Sequence, residues 1–249
     1  MKKILVIGES CKDVFVYCHA ERLAPDLPVP VLRIIEETNN PGMAGNVLRN
    51  IQNIYPQVDL YTNNEWERVT KTRYIHKSTN HTFIRIDAES LVPRIEVKKI
   101  PLKKYDLIAI SDYNKGFLTE GDIQYICKHH SLVFIDTKKI LGAWVKDATY
   151  IKINNFEYER SKVHLSKKLA QKIIYTKGDQ GAFFKGKNYP VVKKVEVKDV
   201  TGAGDSFFAA LVVKYLESGD IGQAIHFANE CASEVVQHKG VTVISNAIV

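Results

Sequence analysis

Asp199-Val200-Thr201-Gly202-Ala203-Gly204-Asp205 runs straight into Ser206-Phe207-Phe208-Ala209-Ala210-Leu211. Gly202 and Gly204 permit a tight turn that presents backbone N–H groups without Cβ obstruction. From Ala203 to Leu216 the pattern reads as a helix, with Phe207, Leu211 and Tyr215 four residues apart. Free amides and the positive end of a helix dipole make an anion site. Asp205 stands beside that site, placed to accept a proton. The stretch therefore suits an oxyanion cradle with a general base. It suits as well an ordinary glycine turn with an Asp cap, because glycine motifs are weak when isolated.

Outward from this stretch the chain alternates buried strands with helices. Residues 3–8, 106–111, 132–135, 150–153 and 173–176 read as strands, and 182–184 with 189–192 as a hairpin. Helices are expected from Pro41-Gly42-Met43-Ala44-Gly45-Asn46 through Ile54, from a Thr119 cap with a capping-box Asp122 through Cys127, over 155–160, and over 221–238. This alternation predicts an α/β fold with a doubly wound, mostly parallel sheet. Polar residues follow almost every strand: Asp13, Asp112, Lys115, Asp136, Lys138, Asn154, Glu157, Thr176 and Lys177, the last opening the turn to Gly178. Any one alone reads as a turn residue. Together they define one ligand-binding edge at the strand carboxyl ends. Glu9 to Asp13 reads as a turn, Val14–Tyr17 and Leu32–Ile35 as β-like, and Pro25, Pro28 and Pro30 predict an extended segment over 24–31. Residues 71–76 and 81–87 form a second hairpin that leaves Arg85 and Asp87 on one face. Segments 14–35 and 71–87 thus make a candidate small β-sheet apart from the main one. Val14, Val16, Phe83 and Ile84 are expected to give it an apolar face suited to a homodimer.

The 249 residues suffice for one full core. A hydrophobic share of 45%, with 25% charged, is that of a globular protein in water. The net charge of +7 is spread over doublets (Lys2-Lys3, Lys98-Lys99, Lys103-Lys104, Lys138-Lys139, Lys167-Lys168, Lys193-Lys194), which read as solvated faces. They carry no aromatic-interleaved basic helix, so no nucleic-acid partner is expected. Excess positive charge favours phosphorylated ligands by steering. Cys11, Cys18, Cys127 and Cys231 form no Cys-x-x-Cys pair, which points to free thiols in a reducing, cytoplasmic setting. No stretch is long enough to span a membrane.

The stretch from Asp199 to Phe207 resembles the second signature of the PfkB, or ribokinase-like, sugar kinase family. The resemblance covers nearly the whole chain and is strongest toward the kinase domain of the bifunctional heptose enzymes. It rests also on residues 22–31, Pro41–Asn46, Ile84–Asp87, Ser111–Gly116, Ile135–Lys138 and Phe227–Asn229. It implies a single ribokinase-like domain over 1–249, with the small sheet as a β-lid. The activity it implies is ATP-dependent phosphoryl transfer to a sugar or sugar-phosphate hydroxyl, with a heptose 7-phosphate as leading substrate and another hexose or pentose as runner-up. By the same resemblance Asp205 is the catalytic base, and Gly202, Ala203 and Gly204 form the anion hole. Asn154 and Glu157 organise Mg2+ and phosphates. Lys138 and Lys177, with Thr176 and Gly178, lie near the nucleotide, and Asn229 near the adenine. Asp13, Gly42, Asn46, Arg85, Asp87, Asp112 and Lys115 face the sugar. The resemblance also allows for a monovalent cation and a separate nucleotidyltransferase acting next.

Three departures stand out. Met43 replaces one glycine of the family's pair, Ile153 stands where proline is common, and the chain between Ile54 and Lys71 is shorter by about one strand–helix unit. These leave a second reading from another class, a truncated homologue that binds ligand or partner without efficient turnover.

Overall fold

The computed structural model describes residues 2–88, 91–192 and 195–245. The doublet Lys193-Lys194 lies outside them. Strands are β1 (Ile4–Ile7), β2 (Ser10–Leu23), β3 (Pro30–Met43), β4 (Val58–Tyr61), β5 (Thr70–His76), β6 (Thr82–Asp87), β7 (Leu107–Asp112), β8 (Val133–Thr137), β9 (Tyr150–Asn154), β10 (Ile173–Thr176), β11 (Ala182–Phe184) and β12 (Lys187–Tyr189). Helices are α1 (Ala44–Ile54), α2 (Glu120–His129), α3 (Asn155–Ser161), α4 (Lys167–Ala170), α5 (Ala203–Ser218) and α6 (Ile221–Val235).

The larger sheet has the order β12-β11-β10-β9-β8-β7-β1-β4. Its six strands from β10 to β4 are parallel, and β11 and β12 close one edge antiparallel. Helices cover both faces, so β1 and β7 are buried throughout and read as continuous apolar runs. The pleat sends Ile4 and Val6 to a core under α1, α5 and α6, and Leu5 and Ile7 to a second core with Ile123 and Ile126 of α2. Because the strands are parallel, the ends of β1, β7, β8, β9 and β10 share one edge, as the strand-end polar residues predict.

The smaller sheet has the order β3-β2-β5-β6. It is longer than residues 14–35 alone allow. Ser10 to Asp13, expected to turn, already belong to β2, where Ser10 pairs with Met43 and Asp13 with Asn40. Pro41, Gly42 and Met43 finish β3 rather than opening the helix, which starts at Ala44. The proline segment is the hairpin's turn, not an extended run: Ala24 N–H donates to the Val29 carbonyl at 2.9 Å. β12 ends at Tyr189 because Pro190 has no N–H to continue the ladder. α6 stops at Val235, three residues before His238. The Thr119–Asp122 capping box forms as expected.

Register decides what the small sheet shows on each side. Asp13 pairs with Lys71 and Lys71 with Asp87; Phe15 pairs with Arg73 and Arg73 with Arg85. These two rows share one face. The alternate rows are Val14, Thr72 and Ile86, then Val16, Tyr74 and Ile84. Phe83 is the extra residue where the β5–β6 register shifts between Tyr74 and Ile75, and its ring meets that of His76, which shares a strand face with Tyr74. On the face away from the charged rows Val14 and Val16 are buried, while Ile84 and Ile86 stay 51% and 50% exposed.

Candidate active site

Gly202 caps α5 in the left-handed region, φ 82, and a Cβ there would lie 2.9 Å from Asn46 Nδ2. The turn therefore lets α1 close against the N-terminus of α5. Asn46, in the first turn of α1, donates from Nδ2 to Asp205 Oδ2 at 2.9 Å. Tyr113, just past β7, donates its hydroxyl to Asp205 Oδ1 at 2.6 Å. Asp205 is buried. Burial pushes its carboxyl above the usual value; the Asn46 and Tyr113 hydrogen bonds oppose this, Asp136 adds to it, and Lys152 opposes it. Of the three residues expected to form the anion hole, Ala203 donates its N–H to the Val200 carbonyl at 3.2 Å; a carboxylate of raised basicity beside such a helix N-terminus can accept a proton while an anion is held next to it.

On one side of Asp205 lies a cavity of about 270 Å³ lined by Asp13, Met43, Asn46, Lys71, Arg73, Arg85, Tyr113, Thr201, Gly202, Asp205 and Val241. The charged rows of the small sheet form its roof. Asp13 Oδ1 accepts from Arg73 Nη1 at 3.0 Å, and Arg85 forks onto both oxygens of Asp87 at 2.7 and 2.8 Å. Among the described residues Lys71 has no hydrogen bond or ion pair; its ammonium lies 4.8 Å from the centre of the Tyr113 ring. Gly42 is needed where it stands, because a Cβ would fall 2.1 Å from Asp13 Oδ2. Met43 is buried with φ 59 and ψ −128, a conformation native to glycine.

On the other side, a mostly apolar cavity of about 360 Å³ is lined by Thr176, Gly178, Ala203, Gly204, Phe207 and Asn229, with valines 191, 195, 197, 200 and 236. Its shape and lining suit a flat heteroaromatic ring. Asn229 donates from Nδ2 to the Tyr189 carbonyl at 2.8 Å, which ties α6 to the sheet edge. Lys177 lines a shallower neighbouring hollow with Asn154 and Gly178, its ammonium 4.8 Å from the Phe183 ring centre.

Between the cavities the strand ends carry a chain of charges. Lys138 Nζ meets Glu157 Oε1 at 2.7 Å and Asp136 Oδ1 at 3.8 Å, and Lys152 Nζ meets Asp136 Oδ2 at 2.8 Å. Burial alone would lower the Lys138 pKa, but Asp136 and Glu157 together hold it above the usual value. Asn154 and Glu157 form a reciprocal helix cap: Glu157 Oε2 accepts from Asn154 N, and Asn154 Oδ1 accepts from Glu157 N. Asn154 Nδ2 and Lys138 both donate to Glu157 Oε1. Glu157 Oε1 thus meets two donors and Oε2 one, and among the described residues no group of three His, Cys, Asp or Glu is clustered as an ion site.

Asp112 and Lys115 do not join either cavity. Asp112 is buried and bound by Lys139 Nζ at 2.7 and 2.9 Å and by the Thr137 hydroxyl. Lys115 donates its backbone N–H to Glu9 Oε1 at 2.6 Å. Lys138 and Lys139, read as part of a solvated face, are drawn inward by these carboxylates. Sequence reasoning assigned no role to Tyr113, Lys71, Arg73 or Lys152. The alternation Lys71-Thr72-Arg73 signals two cations on one strand face, and Lys152 betrays itself as a charge inside the apolar strand Ile151–Ile153.

Residues 70–247 match the family model described as pfkB family carbohydrate kinase. The chain belongs to this family. The "Bifunctional protein HldE" of Helicobacter pylori strain J99 is 33% identical over 297 aligned residues, covering 96% of this chain. That of Hydrogenovibrio crunogenus is 28% identical over 294 residues and 98% of the chain. The chain spans 64% and 61% of these relatives' lengths. Alignments longer than the 249-residue chain mean that the relatives carry segments absent here. Among solved structures, a ribokinase from Thermotoga maritima superposes with a TM-score of 0.76 at 19% identity, covering 100% of this chain and 98% of its own. Phosphofructokinase-2 from Escherichia coli gives 0.73 at 14%, covering 100% and 97%. The fold of this pfkB kinase is therefore ribokinase-like, and kinases of the family use ATP with a divalent metal.

Proposed function

We propose that this pfkB kinase transfers the γ-phosphoryl group of ATP to a hydroxyl of a sugar phosphate, with a heptose 7-phosphate as the leading acceptor. One observation carries the reading: Asp205 stands at the N-terminus of α5 between an apolar cavity and one roofed by Lys71, Arg73 and Arg85. Adenine occupies the first cavity, beside Asn229, Thr176 and Gly178. The acceptor occupies the second, with its hydroxyl at Asp205 in place of the Tyr113 or Asn46 contact. Asp13 and Asp87 neutralise Arg73 and Arg85, while Lys71 keeps a positive charge for an anionic substituent. That surplus favours a phosphorylated acceptor over a neutral sugar. The HldE relatives, similar over 96% of this chain, support a heptose.

In the step, Asp205 takes the hydroxyl proton and the new O–P bond forms as the bond from the γ-phosphorus to the β–γ bridging oxygen breaks, leaving ADP. The amides of Gly202 and Gly204 stabilise the charge on the transferred group, the Ala203 N–H being turned to the Val200 carbonyl. Lys138 and Lys177 attend the remaining phosphates. Asn154 and Glu157 would help to organise Mg2+ beside the nucleotide phosphates, where it would offset phosphate charge. The small sheet acts as a lid that excludes water, and its exposed Ile84–Ile86 face pairs two chains. The setting is cytoplasmic, in keeping with four free, buried cysteines; no helix among the described residues is long and apolar enough to cross a membrane.

The test is ATP consumption against a panel of heptose, hexose and pentose phosphates and their unphosphorylated forms, with Asp205→Asn as control. Turnover of phosphorylated acceptors alone supports the reading. Nucleotide binding without turnover on any sugar sinks it, and a preference for neutral sugars overturns the phosphorylated acceptor.

A further inference from the structure

Glu9 stands between β1 and β2 and is fully buried. A carboxylate is costly to bury unless both oxygens are met. Only Oε1 is: it accepts from the Lys115 N–H at 2.6 Å, while among the described residues Oε2 is buried without a hydrogen-bond partner. Burial pushes the carboxyl above its usual value and the Asp112 charge adds to this, against backbone N–H groups of Lys115, Glu9 and Tyr113. A leucine would fill about the same space without that cost, so what the position supplies is the oxygen that binds Lys115.

That bond reaches Asp205 through one short loop. Tyr113, Asn114 and Lys115 follow β7, and Asn114 turns the chain in the left-handed region with φ 59. On one side of the turn the Tyr113 hydroxyl donates to Asp205 Oδ1 at 2.6 Å; on the other the Lys115 N–H donates to Glu9. The backbone of Glu9 serves the second donor. α1 starts with no side-chain cap, and its Ala44 N–H donates to the Glu9 carbonyl at 3.0 Å. Asn46, two residues on, holds Asp205 Oδ2. Both arms that grip Asp205 therefore start from one residue. They start from a close approach of two strands, since a Cβ on Gly8 would fall 1.8 Å from the Ser111 carbonyl oxygen.

We propose that Glu9 is a positioning residue for phosphoryl transfer: its carboxyl oxygen sets the loop after β7 so that Tyr113 donates to Asp205, and its backbone carbonyl sets α1 so that Asn46 does. The inference rests on the kinase reading. Glu9 lines neither cavity, and no bond to it is made or broken in the step. Its effect passes through Tyr113, whose ring centre also lies 4.8 Å from the Lys71 ammonium and 5.3 Å from that of Lys138. Two other bonds hold the loop, from Asn114 N–H to Asp112 Oδ1 at 3.2 Å and from Val92 N–H to the Lys115 carbonyl at 3.0 Å. Loss of the Glu9 oxygen should therefore shift Tyr113 without unfolding the chain.

The test compares wild type with Glu9→Leu, which removes the acceptor, and with Glu9→Gln, which keeps it without the charge. Two quantities are read: kcat/KM against pH, and the titration of the Asp205 carboxyl by carbon NMR, assigned with Asp205→Asn. In Glu9→Leu the Tyr113 bond loosens, so the Asp205 pKa rises and the acid limb moves to higher pH. A misplacement of about 1 Å lowers kcat about 100-fold, with KM for ATP little changed. Glu9→Gln should bring back the wild-type limb and most of kcat. Added to Tyr113→Phe, Glu9→Leu should shift the Asp205 titration no further, because both act through one bond. An unmoved titration in a folded Glu9→Leu, an additive shift in the double variant, or a folded Glu9→Gln as slow as Glu9→Leu overturns the proposal. If Glu9→Leu does not fold, Glu9→Gln decides alone: a wild-type Asp205 titration supports the acceptor role and a displaced one overturns it. A wild type that turns over no sugar refutes the kinase reading instead, while the NMR titration still reports on Glu9.

Discussion

At Met43 the ordinary ranking of alanine over glycine should reverse. Its φ of 59 and ψ of −128 are the mirror image of an extended residue, a region where a Cβ is strained. The surroundings over-determine it. Ser10 pairs with Met43 and Cys11 with Gly42, and Ala44 N–H donates to the Glu9 carbonyl at 3.0 Å, so the chain must swing from β3 into α1 at this residue. Such strain costs about 1–3 kcal/mol. The side chain, 2% exposed, is retained because it fills the floor of the acceptor cavity. Met43→Ala keeps the strain and loses the packing, for a destabilisation of about 2–5 kcal/mol. Met43→Gly loses the same packing and roughly one further carbon, about 0.8 kcal/mol, and adds about 0.5–1 kcal/mol of unfolded-state freedom. It recovers about 2 kcal/mol of strain. Glycine should therefore exceed alanine by about 0.5 kcal/mol, against a deficit of about 1 kcal/mol where φ is negative. Urea unfolding of the two variants at matched m-values measures the difference. An alanine variant more stable than the glycine variant by about 1 kcal/mol would refute the claim that the backbone here is strained.

Asp205→Asn should lower kcat about 100- to 10,000-fold. It should also stabilise the fold at neutral pH. Burial raises the folded-state pKa, so wild-type stability falls as pH rises from the unfolded value through the folded one, and the melting difference should shrink toward pH 4. Tyr113→Phe removes a hydrogen bond that lowers the Asp205 pKa, so the acid limb of the kcat/KM profile should move to higher pH; an unmoved limb would mean that Asp205 is not the titrating base. Lys71→Met should raise KM for a phosphorylated acceptor about 10- to 100-fold with kcat nearly kept. An equal effect on unphosphorylated sugars would remove Lys71 from recognition of the anion.

The stretch from Asp199 to Asp205 was legible because its chemistry is local. Two glycines, a carboxylate and an apolar helix within a dozen residues specify a helix N-terminus with a carboxylate beside it, and α5 starts at Ala203 as read. The strand-end polar residues were legible for a related reason. A parallel sheet brings every strand's carboxyl end to one edge, so position along the chain already assigns Thr176 and Asn154 to that edge. Asp112 and Lys115 obeyed the same rule and still missed the cavities, since the rule fixes an edge and not a side-chain direction. Asp112 turns to Lys139, an attraction between residues 27 positions apart that spacing cannot reveal.

What the sequence determined by itself was the class of fold, the family and the place of Asp205 at a helix N-terminus, because periodicity, glycine chemistry and one specific motif are properties of neighbouring residues. The tertiary structure decided the partners. Only the register of β2, β5 and β6 aligns Asp13, Lys71 and Asp87 in one row and Phe15, Arg73 and Arg85 in the next. Only the closure of α1 and β7 around α5 puts Asn46 and Tyr113 on Asp205. Only the order of β8 and β9 sets Lys152 against Asp136 beneath Gly204. Each contact joins side chains far apart in the chain, and their meeting depends on strand order and pairing register, which no local pattern encodes.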